Sequence, residues 1–102
     1  MATLDDLRGD IDRVDEVLVR LLNERARCVC EIGRLKRELG VAVYQPEREQ
    51  AVLDHVRRVA TEGPLGPAAI GRLFERIIDE ARRLERRVVQ DGDEAVGPAE
   101  RV

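Results

Sequence analysis

From Leu4 the apolar residues fall at Leu4, Leu7, Ile11, Val14, Leu18 and Leu21, and then at Cys28, Ile32, Leu35 and Leu39, in a three-four alternation. The pattern predicts one amphipathic helix over roughly residues 4 to 39, about 50 Å long at ~1.5 Å per residue. Thr3, followed three residues later by Asp6, resembles a capping box, and Gly40 suits the C-cap. Gly9 and Gly33 each weaken such a helix by up to about 1 kcal/mol relative to Ala. In a chain of 102 residues a rod of that length cannot be covered by what remains, so an intertwined homodimer is expected over a monomer.

The rest of the chain reads as two further helices. VAVYQ at 41 to 45 is too short and isolated for a sheet, and Pro46 fits the first position of a second helix, with Glu47 and Glu49 in its first turn. Val52, Leu53, Val56 and Val59 form its apolar face, and EGPLGP at 62 to 67 ends it. A third helix starts near Pro67, with the stripe Ile70, Leu73, Phe74, Ile77, Ile78, Ala81, Leu84 and Val88. From about Gln90 the periodicity fades, so residues 1–89 are expected to form one helical domain and 90–102 a disordered tail. The fold class is all-α, a three-helix subunit with a long first helix. Only Tyr44 and Phe74 are aromatic, which disfavours a sandwich or barrel.

Charge excludes several classes of function. The formal net charge is -3, and acidic residues are interleaved with the arginines, so a nucleic-acid partner is not expected. No apolar stretch approaches the ~20 residues that cross a bilayer, and no signal-like segment opens the chain, which reads as cytoplasmic. Cys28 and Cys30 point about 200° apart on a helix and are expected only to pack. With His55 the single histidine, expected on a helix surface, no metal site is expected.

Three charges interrupt apolar rows. Arg25 occupies the slot between Leu21 and Cys28, Lys36 follows Leu35, and Glu85 lies between Leu84 and Val88. Arg25 and Lys36 are eleven residues apart, within about 20° of each other and roughly 16 Å apart along the axis, with Val29 and Ile32 between them. Bent toward each other, the two side chains can bracket a small anion over an apolar floor. Unpaired burial of either cation costs several kcal/mol, so each needs a partner, either an acidic residue of the third helix or a ligand. Lys36 is the only lysine in an arginine-rich chain, which favours a task for a compact ammonium. Arg8 lies about 25 Å from Arg25 along the same rod, too far to share one small ligand within a subunit. It therefore serves either a partner chain's site or only the solvated surface. Arg48 and Glu49 follow Pro46, where the helix dipole by itself favours a carboxylate.

The segments LRGDIDRVD at 7 to 15, LLNERARCVCEIGRLK at 21 to 36, VYQPEREQAVL at 43 to 53 and GPLGPAAIGRLFERIIDEARRLE at 63 to 85 together resemble the all-helical AroQ-type chorismate mutases. The resemblance covers residues 4 to 86. It implies a homodimer whose two active sites are built from both chains, and the Claisen rearrangement of chorismate to prephenate with no cofactor or metal. It also implies roles by position. Arg25 and the partner chain's Arg8 would bind the two substrate carboxylates, and Lys36 a carboxylate and the ether oxygen. Arg48 would shape the cationic pocket, Glu49 would accept from the ring hydroxyl, and Glu85 would be the second donor to the ether oxygen.

On that reading Arg25→Ala and Lys36→Ala injure catalysis more than folding. Many relatives carry Gln at the position of Glu85, and only a protonated carboxyl can donate, so an acid-favoured pH profile that Glu85→Gln flattens is expected. Ala81 and Gln45 stand where some relatives have serine and aspartate, and Ala81 can only pack. The alternatives are an isochorismate-pyruvate lyase or a 4-amino-4-deoxychorismate mutase. A non-catalytic helical dimer module, such as one that binds another shikimate-pathway enzyme, is a reading of a different class.

Overall fold

A computed structural model describes residues 1–91, and they form three α-helices: α1 (Leu4–Leu39), α2 (Pro46–Val59) and α3 (Pro67–Asp91). Local chemistry sets each boundary. The Thr3 hydroxyl accepts from the Asp6 N–H at 3.1 Å while the Asp6 carboxylate accepts from the Thr3 N–H at 3.0 Å, completing the capping box. At the other end Gly40 adopts φ 69°, a left-handed conformation that suits glycine. The N–H groups of Gly40 and Val41 both return to the Lys36 carbonyl, so the helix ends there and the chain leaves its axis into the 41–45 linker.

Pro46 opens α2, whose N-cap Gln45 is extended and makes no side-chain capping bond. Instead its carbonyl accepts from the Arg48 and Glu49 N–H groups, both at 3.1 Å. The α2–α3 turn includes Gly63 at φ 96°. Helix α3 runs to Asp91, so Gln90 and Asp91 are helical where the sequence pattern had ended the domain at residue 89. The remainder of the expected disordered tail lies outside the described residues.

Helix α3 is the central element, packing against both α1 and α2. It approaches α1 closely at Gly33, which is buried. A Cβ built there would sit 3.1 Å from Val88 Cγ1, 3.2 Å from Val88 Cβ and 3.4 Å from Glu85 Cγ. The missing side chain therefore lets α3 lie close to α1 and brings Glu85 alongside the C-terminal half of α1. Val88, Cys30 and the partly buried Leu84 pack together beside this crossing.

The core of the single chain is small because the three helices lie nearly in one layer. The Cα envelope measures 56 × 33 × 14 Å. Val29, Cys30, Ala60, Ile78 and Val88 are its buried hydrophobic residues. The α1 stripe that periodicity marks as apolar is left uncovered by the single chain, as the length of the rod implies, with Leu4, Leu7, Ile11, Val14, Leu18 and Leu21 all at least half open to solvent. Leu73 and Val59 on the other stripes are exposed too. Cys30 packs as expected from the sequence, whereas Cys28 is exposed. His55 lies on the surface of α2. Among the described residues no helix is long and apolar enough to cross a membrane.

Candidate active site

The C-terminal half of α1, the 41–45 linker, the first turns of α2 and the middle of α3 converge on a cavity of about 320 Å³. Val29, Ile32, Val52, Ile78 and Ala81 supply apolar wall, and the charged lining is Arg25, Lys36, Arg48, Glu49, Arg82 and Glu85. A concave, largely apolar site with a few convergent polar groups is what a small ligand needs. Five of the six residues expected from the sequence are thus brought together. The sixth, Arg8, is exposed on the first turns of α1 and does not line this cavity.

Lys36 is held on two sides. Its ammonium donates to the Val43 carbonyl at 2.9 Å, in the linker that follows the left-handed C-cap at Gly40. It also lies 2.5 Å from Glu85 Oε1, with both side chains largely buried. That second contact is an ion pair without hydrogen-bond alignment. For Lys36, then, the acidic partner on α3 weighed from the sequence is present. Glu85 faces the lysine it would work beside.

Arg25 is different. It is half-buried, and among the described residues no acidic side chain forms an ion pair with it. Burial pushes its guanidinium below the ordinary arginine value, and the like charge of Arg48 pushes it the same way. Two arginines therefore crowd one end of the cavity, and what would neutralise them is an anion in the space between.

Arg82 was not picked out by the sequence reading. Its Nε donates to Glu49 Oε2 at 3.0 Å and its second terminal nitrogen to Glu49 Oε1 at 2.5 Å, a bidentate fork across α2 and α3. The remaining terminal nitrogen reaches Asp79 at 3.2 Å, and the guanidinium carbon lies 5.3 Å from the centre of the Tyr44 ring. The hydrogen bonds to Glu49 hold Arg82 above the ordinary arginine value. In the sequence it hides in an Arg-Arg pair on a charged helix. Its one visible signal is its place three residues before Glu85, on the same side of α3.

The cavity wall thus carries four cationic side chains against two carboxylates, and each carboxylate is already paired with one of the cations. Among the described residues two positive charges are left over, on Arg25 and Arg48, above an apolar floor. This arrangement suits a compact dianion.

The family described as chorismate mutase type II matches residues 7–86. The chain is 43% identical over 89 residues to a bifunctional chorismate mutase/prephenate dehydratase of Neisseria gonorrhoeae, covering 82% of this chain and 24% of that protein. It is 33% identical over 89 residues to a 4-amino-4-deoxychorismate mutase of Streptomyces pristinaespiralis, covering 87% of this chain and 69% of that one. Among solved structures, a chorismate mutase (form II) of Thermus thermophilus superposes with a TM-score of 0.78 at 40% identity, covering 82% of this chain and 94% of that chain. The chain spans about a quarter of the length of the bifunctional relatives it matches.

Proposed function

Because this chain belongs to the chorismate mutase type II family, we propose that its cavity rearranges chorismate to prephenate, using residues of two subunits. The observation that carries the reading is the unpaired, half-buried Arg25 with Arg48 beside it, in a pocket with an excess of two positive charges. Chorismate is a dicarboxylate on a six-membered ring. Its carboxylates supply the missing negative charge, and Val29, Ile32 and Ile78 face its carbon skeleton.

The reaction is pericyclic. As the ether C–O bond breaks and the new C–C bond forms, six electrons move around one ring and no proton has to leave. The protein therefore acts by holding the compact conformer and by placing donors where negative charge develops on the ether oxygen. Lys36, fixed by Val43 and Glu85, is the preorganised cationic donor. Glu85 stands beside it as the second group at the ether oxygen, able to donate only when protonated. Arg25 and Arg48 take the carboxylates, and Glu49 accepts from the ring hydroxyl.

Arg8 enters from a second chain. The exposed α1 stripe and the thin single layer leave apolar surface that another copy would cover, with α1 packed against its counterpart. In a two-fold dimer the N-terminal half of α1 from one subunit reaches the cavity of the other, which accounts for an arginine placed so far from Arg25.

The test is an assay of the purified protein with chorismate, isochorismate and 4-amino-4-deoxychorismate, followed by mixing of two inactive variants. Prephenate from chorismate is expected, and Arg8→Ala and Lys36→Ala are each expected to be nearly inactive. Random re-assortment of the two gives half mixed dimers, each with one intact site, so about a quarter of wild-type activity returns. Pyruvate release from isochorismate as the main reaction would replace the mutase reading with a lyase. No turnover of any substrate would leave a binding module, and no recovery on mixing would refute the shared site.

A further inference from the structure

Glu49 and Arg82 come from different helices and are 33 residues apart in the chain, yet they form the most completely determined ion pair in the cavity wall. Both Glu49 oxygens receive a donor from Arg82, which fixes the plane of the carboxylate. A carboxylate has about four lone-pair sites, so acceptor capacity remains for a ligand in the cavity that Glu49 lines. Arg82 is itself over-determined, by Asp79 on its third nitrogen and by Tyr44 beneath its face. The positive charge cannot swing away without losing all of these contacts.

The charge arithmetic of the wall then discriminates between donors. Glu85 already faces the Lys36 ammonium and Glu49 already faces the Arg82 guanidinium, while Asp79 does not line the cavity. A neutral hydroxyl needs only a well-placed lone pair, and Glu49 offers one. A protonated amine needs an uncompensated anion and instead meets a guanidinium across the same carboxylate, while Arg25 and Arg48 are met by the carboxylates that both substrates share.

We propose that Arg82 is a positioning residue that sets substrate class: by clamping and neutralising Glu49 it makes the cavity accept a ring hydroxyl and reject a protonated ring amine. This rests on the mutase reading above. It also accounts for an arginine on the cavity wall that neither the ether oxygen nor the carboxylates require.

The experiment compares the wild-type enzyme with Arg82→Leu, Arg82→Gln and Arg82→Lys, measuring kcat and KM for chorismate and for 4-amino-4-deoxychorismate, with a thermal melt of each protein. Wild type is expected to turn over chorismate and to disfavour the amine. In Arg82→Leu and Arg82→Gln the amine-to-hydroxyl ratio of kcat/KM is expected to rise by about tenfold or more, because Glu49 regains a free negative charge. Arg82→Lys, which restores the charge, is expected to keep the ratio near the wild-type value. A purely structural role would lower both substrates by one common factor, and that result would overturn the proposal. If Arg82→Leu does not fold, Arg82→Gln decides by the same ratio. A wild type that prefers the amine would refute the inference while sparing the mutase reading, and one inert toward both substrates would refute the two together.

Discussion

Arg25→Met keeps an unbranched stem over Val29 and removes the guanidinium. In the wild type that cation is half-buried, has Arg48 as a charged neighbour and finds no acidic partner among the described residues. Relief of a like-charge contact between partly exposed groups contributes roughly 0.2 to 1 kcal/mol, and methionine retains most of the stem's packing. About 1 kcal/mol corresponds to ~4–8 °C in Tm for a domain of this size. The Tm of Arg25→Met is therefore expected to stay the same or to rise by up to about 8 °C. Catalysis should move the other way, because loss of one preorganised donor costs ~10² to 10³ in kcat/KM, or about 3–4 kcal/mol. The assay is a thermal melt and an initial-rate series with chorismate on the same preparations, at one protein concentration because assembly is linked to stability. Added malate, a small dianion, should raise the Tm of the wild type more than that of the variant. The reasoning fails if Tm drops by more than about 4 °C while the folded protein keeps full kcat/KM, for Arg25 would then be a structural cation.

Two other perturbations test the frame that carries the site. Gly33→Ala places a Cβ 3.1 Å from Val88 Cγ1, and overpacking of that kind costs about 1–3 kcal/mol against a gain in helix propensity of up to ~1 kcal/mol. Urea melts should show a net loss of stability, and activity should fall further than folding because Glu85 shifts with α3; a more stable and fully active variant would contradict this. Asp6→Ala tests the capping box through pH. The Thr3 N–H and then the Thr3 hydroxyl hold the Asp6 carboxyl below its ordinary 3.8, so its contribution is present above that value and is lost as pH falls through the lower, folded-state value. The stability gap between wild type and Asp6→Ala should be seen near neutral pH and should shrink as pH falls below 3.8 and through the lower folded-state value. A gap independent of pH would assign the effect to the alanine rather than to the charge.

Helix boundaries were legible in the chain because their causes are local. Thr3 and Asp6, Gly40, and Pro46 act on backbone within a few residues, and both ends of α1 and the start of α2 fall at these signals. Arg25 and Lys36 were legible for a related reason: a charge in an apolar row at helical spacing declares a need that the helix itself cannot meet. What meets that need was not legible. Lys36 finds Glu85 and Val43, Arg25 finds the like charge of Arg48 and no acidic partner among the described residues, and the spacing of the two cations is silent on the difference.

The clamp on Glu49 belongs to tertiary structure alone, whereas an uncovered α1 stripe was already implied by the length of the rod. Periodicity identifies an apolar face but not what lies against it, and in the single chain α3 covers the Val29–Gly33 region rather than the Leu4–Leu21 stripe. Arg82 reads as one more solvated arginine until the close approach at Gly33 and the packing of α3 on α2 carry it to Glu49. Amino-acid order by itself determined where the helices run and which charges were out of place. Which charges neutralise one another, and which are left for a ligand, was decided only by distances between helices, because Coulomb and hydrogen-bond energies depend on separation in space and not on separation along the chain.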